Sequence, residues 1–276
     1  MHDSQFGLSS PQIAALRIFS AGLVFVPFAF FHIRHIPRKK LGLVILSAVF
    51  GNLLPAFLFA EAITKLDSSL AGILNSLTPI CVVIIGIVFF RDKIKTQKIT
   101  GVLIGFLGLV LLTLIPLFLE KRSVSFDNLS YTLLIVLATL LYGINVNMVG
   151  HYLKGLHPVH TATVSLAFMT IPTGIILWQL GFHQLNFHDP VVFNSTWKSV
   201  LLGVAGSAIA TALFYILVQR AGILFASLVT YGIPFIALLW GFLDGEKITW
   251  VKPVCLSIIL VGVYMANRPE KIPVKE

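Results

Sequence analysis

Apolar residues fill the chain in nine stretches of about 20 residues, and short segments between them hold most of the charged side chains. Wound as an α-helix, such a stretch is long enough to cross roughly 30 Å of hydrocarbon. The pattern therefore predicts an all-α polytopic membrane protein. A transmembrane β-barrel would instead show strands that alternate over about ten residues. The predicted segments lie at 10–31, 41–64, 68–90, 98–118, 129–150, 157–180, 197–219, 221–243 and 248–267.

The composition excludes an ordinary soluble domain. Hydrophobic residues make up 57% of the 276 residues and charged residues 11%, whereas a soluble domain carries about 25% charge. No soluble fold of this length buries so much apolar side chain, so the expected surrounding is the lipid bilayer. The net charge of +9 is better explained by loops that orient the helices than by a nucleic-acid partner.

Lysine and arginine are unequally distributed between the two sides that the nine segments define. Thirteen lie on one side and six on the other, while Arg17 lies within a segment. Basic residues accumulate in cytoplasmic loops, so we expect a multi-pass protein of the cell (inner) membrane with its C-terminus in the cytoplasm. The thirteen are Arg34, Arg38, Lys39, Lys40, Arg91, Lys93, Lys95, Lys98, Lys154, Arg220, Arg268, Lys271 and Lys275.

The chain contains an internal repeat. At an offset of 155, residues 58–86 align with residues 213–241, and Pro79 meets Pro234. Matches continue in the same order at offsets of 154 downstream and 148 upstream. We therefore predict two copies of one unit, at residues 1–122 and 129–268. The first copy holds four helices and the second holds five.

The two copies are expected to be inverted relative to each other. At the upstream offset, the partner of the helix at 129–150 would precede Met1. Either the protein has nine spans or the chain starts one helix late, and the late start is the favoured interpretation. A unit with an odd number of helices places its copy upside down in the bilayer, which is the design of inverted-repeat transporters.

Two ionisable residues lie inside predicted spans. Glu61 is the only acidic one, and Arg17 is the only basic one well inside a span. A buried charge is costly in lipid unless it is paired or hydrated, so an Arg17–Glu61 contact is one expectation. The alternative is a helix-end pair of Glu61 with Lys65, four residues later. If Glu61 is functional, it binds a cationic group or carries a coupling proton.

Pro79 and Pro234 are predicted hinge residues because they occupy equivalent mid-span positions. Proline cannot donate to the carbonyl four residues earlier, which frees the carbonyls of Asn75 and Thr230. Transporters place such helix breaks at their binding sites. An ordinary transmembrane kink is the alternative.

Further polar residues within the spans are candidates to line the same cavity. Each is also explained by a hydrogen bond that joins two helices, so the two interpretations stay open. The substrate-binding candidates are Arg17, Asn52, Glu61, Asn75, Thr78, Tyr142, Asn145, Ser207, Thr211, Thr230 and Tyr231. Asn147 and Tyr215 are two further polar residues that could line the cavity.

The remaining motifs do not indicate catalysis. No phosphate-binding glycine loop, zinc-ligand spacing or nucleophile elbow is present, so we expect neither an enzyme nor a cofactor or metal. His151, His157 and His160 are interpreted as solvated residues at a helix end. The GxxxG motif at residues 101–105 favours close contact between helices, either within the chain or in a homodimer.

Three longer stretches resemble the drug/metabolite transporter superfamily, specifically EamA-type permeases. They are "PQIAALRIFSAGLVFVPF" at 11–28, "SSLAGILNSLTPI" at 68–80 and "FASLVTYGIPFIALLWGFLDGEKIT" at 225–249. The resemblance implies two inverted five-helix units around a central cavity, and export of amino acids, related metabolites or toxic compounds. "ALRI" at 15–18 resembles the family's second-helix pattern, in which an arginine is common at the place of Arg17.

These observations favour a secondary transporter that exports a small molecule by alternating access around a midplane cavity. Since no nucleotide-binding motif is present, an ion gradient or exchange would supply the energy. A non-transporting membrane subunit and a lipid-linked carrier flippase are the alternatives.

Overall fold

The computed structural model of the chain describes residues 7–66, 68–119, 129–233, 235–236, 239 and 250–267. The described part contains helices and no strands, and each of the nine predicted apolar segments contains helix. Within these residues, five helical stretches are long and apolar enough to span a membrane, and four shorter apolar helices accompany them. The predicted all-α, polytopic architecture is confirmed. The helices are α1 (Ser10–His32), α2 (Arg38–Ala48), α3 (Leu54–Ala62), α4 (Ser68–Asn75), α5 (Thr78–Phe90), α6 (Thr96–Leu119), α7 (Leu129–His151), α8 (Pro158–Gln179), α9 (Pro190–Gly203), α10 (Ala210–Ala221), α11 (Ile223–Leu228) and α12 (Val251–Asn267).

The outer faces of the helices are apolar. Phe30 on α1, Phe89 on α5 and Leu213 on α10 are each more than half exposed. Such large hydrophobic side chains would be costly to expose to water over so many helices. These side chains are therefore expected to face the hydrocarbon of a lipid bilayer.

Equivalent helices of the two copies pack against each other in antiparallel pairs. In the pair α1–α8, Gln12 Nε2 donates a hydrogen bond to the Leu180 carbonyl at 2.9 Å, while Gly22, ten residues later, packs on the backbone of Leu166. Residue numbers therefore rise along one helix as they fall along the other. This arrangement is what an inverted repeat requires.

The pair α6–α12 shows the same geometry and uses the GxxxG motif within the chain. Gly101 contacts Ala266, and both Gly101 and Gly105 contact Gly262. A Cβ atom at Gly101 or Gly262 would overlap the facing backbone, and one at Gly105 would overlap the Tyr231 ring, so the glycines permit the close approach. Gly108, further along α6, meets Ile259, earlier in α12, and the two helices are thus antiparallel.

Two spans are interrupted by a π-helical turn at equivalent positions. The first π segment, Val49–Leu53, joins α2 to α3, and the second π segment, Val204–Ile209, joins α9 to α10. They begin 155 residues apart, which is the offset of the repeat. A π turn inserts one residue into the helix and is found often at functional sites. Sequence analysis did not anticipate either segment.

The first predicted proline break is present, but the Asn75 carbonyl, which cannot bond to Pro79, still accepts a hydrogen bond. Helix α4 ends at Asn75 and α5 begins at Thr78, with Pro79 in the first turn of α5. The Thr78 hydroxyl donates to the Asn75 carbonyl at 2.7 Å, so it supplies the hydrogen bond that Pro79 cannot. In the second copy the Thr230 carbonyl accepts from the Ile233 amide, and Pro234 lies outside the described residues.

One end of the bundle collects the described basic loops. The start of α6 reaches the end of α12 through the hydrogen bond from Gln97 Nε2 to the Met265 carbonyl. The end of α10 reaches the end of α7 through Gln219 and the Leu153 carbonyl, and His32 at the end of α1 contacts His160 at the start of α8. We call this the basic end. It carries Arg34, Arg38, Lys39, Lys40, Arg91, Lys93, Lys95, Lys98, Lys154 and Arg220.

Candidate functional site

Arg17 is the eighth residue of the 23-residue helix α1, about two turns from its start, and it binds the second copy. Its Nε donates to Ser207 Oγ at 2.8 Å, and Ser207 is a buried residue of the second π segment. Gly203, four residues earlier, packs on the backbone of Arg17 and the side chain of Ser20. The absence of a side chain at Gly203 lets α9 approach α1 closely enough for this contact. An arginine at this depth is costly unless polar partners or water surround it.

In a second contact between the copies, the donor belongs to the second copy and the acceptor to the first. Asn52, on the first π segment, accepts a hydrogen bond from Thr211 Oγ1 at 3.0 Å. Thr211 lies four residues after Ser207, on the same face of the helix. Each π segment therefore offers one polar side chain to the opposite copy.

Tyr215 extends this face by a further turn. It is fully buried, and its hydroxyl donates to Ser47 Oγ at 3.0 Å. Ser165 on α8 and Asn145 on α7 also interact with this hydroxyl. Four helices from both copies thus meet at one phenol.

Asn145 carries an unpartnered oxygen. The residue is 4% exposed, and its Oδ1 atom has no hydrogen-bond partner within the described structure. Gly51, on the first π segment, packs directly on the Asn145 amide. A buried acceptor without a donor is costly, which makes Asn145 a candidate to bind a ligand that donates a hydrogen bond.

We call this group the central polar cluster. Tyr142 lies one turn before Asn145 on α7 and is close enough to Arg17 for an electrostatic interaction. The members are Arg17, Ser47, Asn52, Tyr142, Asn145, Ser165, Ser207, Thr211 and Tyr215.

Glu61 is not part of the central polar cluster. It is an exposed residue in the last turn of α3. Among the residues that the structure describes, Arg17 and Glu61 form no ion pair, since the Arg17 hydrogen bond goes to Ser207. The expected Arg17–Glu61 contact is not formed, and a hydroxyl from the other copy accepts the Arg17 Nε hydrogen bond instead.

Four more candidates lie elsewhere in the fold. Asn75 and Thr78 belong to the break between α4 and α5. Thr230 lies in a 3₁₀ turn after α11 and bonds to the Ser227 carbonyl. The fully buried Tyr231 donates to the Val102 carbonyl of α6 at 3.1 Å, so it stabilises the packing of α6.

Sequence analysis missed two members of the central polar cluster, Ser47 and Ser165. Both bond to carbonyls of their own helices as well, and serine is common in transmembrane helices, so neither stands out. For Ser165 a usable signal was the repeat itself, because Ser165 aligns with Arg17 at the offset of 148. A glycine followed by a polar residue also recurs inside each π segment, as Gly51-Asn52 and Gly206-Ser207.

The histidines separate into two groups at the basic end. His160 contacts His32, His35 and His157 with ring centroids 4.5 to 4.7 Å apart. His151 lies apart from them and bonds to Asp92. In the described part of the chain, no three His, Cys, Asp or Glu side chains are arranged to hold a metal ion.

The geometry defines a multi-pass helical membrane protein with polar residues between two inverted halves. The chain belongs to the EamA-like transporter family, whose model matches residues 4–114 and 129–268. A WAT1-related chloroplastic protein of Arabidopsis thaliana is 24% identical over 94% of this chain, which spans 63% of that relative's length. An uncharacterized transporter of Archaeoglobus fulgidus is 25% identical over 95% of this chain and 90% of its own.

A solved crystal structure supports the fold. It superimposes with a TM-score of 0.70 over 96% of this chain and 90% of the other, at 14% sequence identity. Family membership and these relatives point to a membrane transporter rather than an enzyme.

Proposed function

We propose that the chain is a secondary transporter that exports small metabolites, such as amino acids or related compounds. The two copies would rock around a midplane cavity at the central polar cluster and expose it alternately to each side. The basic end would face the cytoplasm, and the cell (inner) membrane would be its location. Family membership supports the general activity, while the polar cluster between inverted copies supports the position of the site.

The arginine within the span carries this proposal. Arg17 uses Nε to bind Ser207, and a guanidinium group has five N–H donors. It forms no ion pair with the acidic residues that the structure describes. Its remaining donors suit a carboxylate or phosphate group of a substrate. Asn52, Tyr142, Asn145 and Thr211 would orient the rest of that molecule.

The test needs no prior choice of substrate. Proteoliposomes that contain the protein are loaded with a total metabolite extract, and mass spectrometry identifies the compounds that leave them faster than from protein-free liposomes. We expect loss of a small set of compounds that carry an anionic group. No protein-dependent loss from correctly folded protein would contradict transport and favour the non-transporting subunit.

A further inference from the structure

Another polar contact joins the copies at the basic end, outside the central polar cluster. His151, the last residue of α7, lies with its Nε2 atom 3.1 Å from Asp92 Oδ2. The Phe90 ring stacks on the imidazole with centroids 4.6 Å apart and an angle of 17°. The two side chains are 31% and 27% exposed, so water and protons reach them.

The backbone after α5 positions the Asp92 carboxylate. Arg91 adopts a left-handed conformation with φ of 58°, and this ends the helix. The Asp92 amide then donates to the Gly86 carbonyl at 3.0 Å. The chain is thereby turned back, and Asp92 from the first copy faces α7 of the second.

Asn147 places an unpartnered acceptor beside this pair. It is fully buried, its Nδ2 donates to the carbonyls of Val82 and Gly143, and its Oδ1 has no partner in the described structure. A Cβ atom built on Gly86 would lie 2.8 Å from Asp92 Oδ2 and 3.2 Å from Asn147 Oδ1. Both oxygens thus face the small space that Gly86 leaves open.

An added proton would strengthen the contact in either of two positions. On His151, it creates a charge-assisted hydrogen bond to Asp92, which is stronger than the bond from a neutral imidazole. On Asp92, it makes the carboxyl a donor, and Asn147 Oδ1 is an acceptor that lacks one. Protonation therefore favours the state in which the two copies are joined.

A cavity of about 210 Å³ lies next to this contact. The first copy contributes α5, the loop to α6 and the start of α6, and the second contributes α7 and α11. The charged groups that face it besides Asp92 are Lys93, Lys95 and Lys98, whereas α5 presents Val82 and Val83 and α11 presents Ile223 and Leu224. The His151–Asp92 contact therefore lies beside a cleft between the copies at the basic end, and Asp92 belongs to both.

We propose that Asp92, His151 and Asn147 form a proton-binding latch that holds this cleft closed. The latch rests on the proposed function for its role in alternating access. Because protonation strengthens the contact, acidification of the solution at the basic end closes the latch. A rise in pH releases it.

Distance measurements test the latch without the need for a transport assay. Spin labels are placed at Thr96→Cys in the first copy and Lys154→Cys in the second, with Cys81→Ala and Cys255→Ala as background, in lipid nanodiscs. Both label positions are exposed at the basic end. We expect the ratio of short to long distances to rise roughly fivefold from about pH 8 to about pH 5, the difference between a neutral and a charge-assisted hydrogen bond.

Matched variants show which residues produce the pH response. Asp92→Asn and His151→Gln should abolish the pH response, while Asp92→Glu and Lys93→Gln should retain it, since Lys93→Gln removes a charge from the same cavity without touching the pair. A flat wild-type response overturns the latch, as does a response that survives in both pair variants or disappears in Lys93→Gln. A pH response in a protein that moves no metabolite supports the latch and refutes only the proposed function.

Discussion

The two spans that contain π turns have the same kind of backbone but carry different side chains. The first copy presents Asn52 and then, at one-turn intervals, Ala56 and Ala60. At the offset of 155 the second copy presents Ser207, Thr211 and Tyr215. The irregular turn occurs in both, so it belongs to the architecture. The row of hydroxyl groups occurs in one, so it belongs to the site.

The charge of the central polar cluster also comes from one copy alone. Arg17 comes from the first copy, and its equivalent at the offset of 148 is Ser165. The structure thus combines a cation from one copy with hydroxyls from the other. Equivalent substitutions in the two copies should therefore have unequal effects, and the following predictions test this asymmetry in order of expected size.

The largest difference is expected between Arg17→Gln and Ser165→Ala. Removing the guanidinium eliminates the charged donors proposed for the substrate, a loss of about 3 kcal/mol or roughly 100-fold in flux. Ser165→Ala removes one neutral hydroxyl and should cost less than about tenfold. Efflux of the identified compound from proteoliposomes measures both, and thermal unfolding confirms folding. Equal losses in the two variants would contradict the asymmetric site.

A smaller difference is expected between Gly51→Ala and Gly206→Ala, which alter equivalent residues of the two π segments. A Cβ at Gly51 would overlap the Asn145 amide, whereas one at Gly206 would meet the end of the Leu202 side chain at 3.0 Å. Overpacking costs about 1–3 kcal/mol, while a flexible leucine can move away. Thermal unfolding in nanodiscs should show the larger loss of stability for Gly51→Ala, and the reverse order would refute the packing on Asn145.

The smallest effect concerns the hydrogen bond between Asn52 and Thr211. A double-mutant cycle of Asn52→Ala and Thr211→Val should give a coupling of about 1 kcal/mol in the free energy of unfolding. Asn52→Ala with Thr230→Val is the control pair, since Thr230 bonds within its own turn and should give no coupling. Equal coupling in both cycles would argue against the contact between copies.

The architecture was predictable from sequence because it depends on patterns that the chain repeats. The apolar lengths located the nine segments, and the aligned prolines indicated two copies. Asn52 and Ser207 were already paired by the offset of 155. These features are local or periodic, so a single sequence contains them.

The partners within the site were less predictable because they depend on which faces meet. Arg17 bonds to Ser207, 190 residues away, whereas the cost of a buried charge in lipid favoured a pair with Glu61. A π turn adds one residue and rotates everything after it by about 100°, so periodicity alone misplaces later side chains. Tyr231 resembles a cavity residue in the sequence, but it lies in a 3₁₀ turn after α11 and packs against α6.

Cysteine labelling at the two π segments tests the central claim most directly. Asn52→Cys and Ser207→Cys are made with Cys81→Ala and Cys255→Ala as background, and a membrane-impermeant thiol reagent is applied to either side of oriented vesicles. The account predicts modification of both positions from both sides, because the central polar cluster opens alternately. Leu213→Cys, on the 61% exposed apolar face, should stay unmodified. Modification of Asn52→Cys and Ser207→Cys from one side only, or from neither, would contradict alternating access at this site.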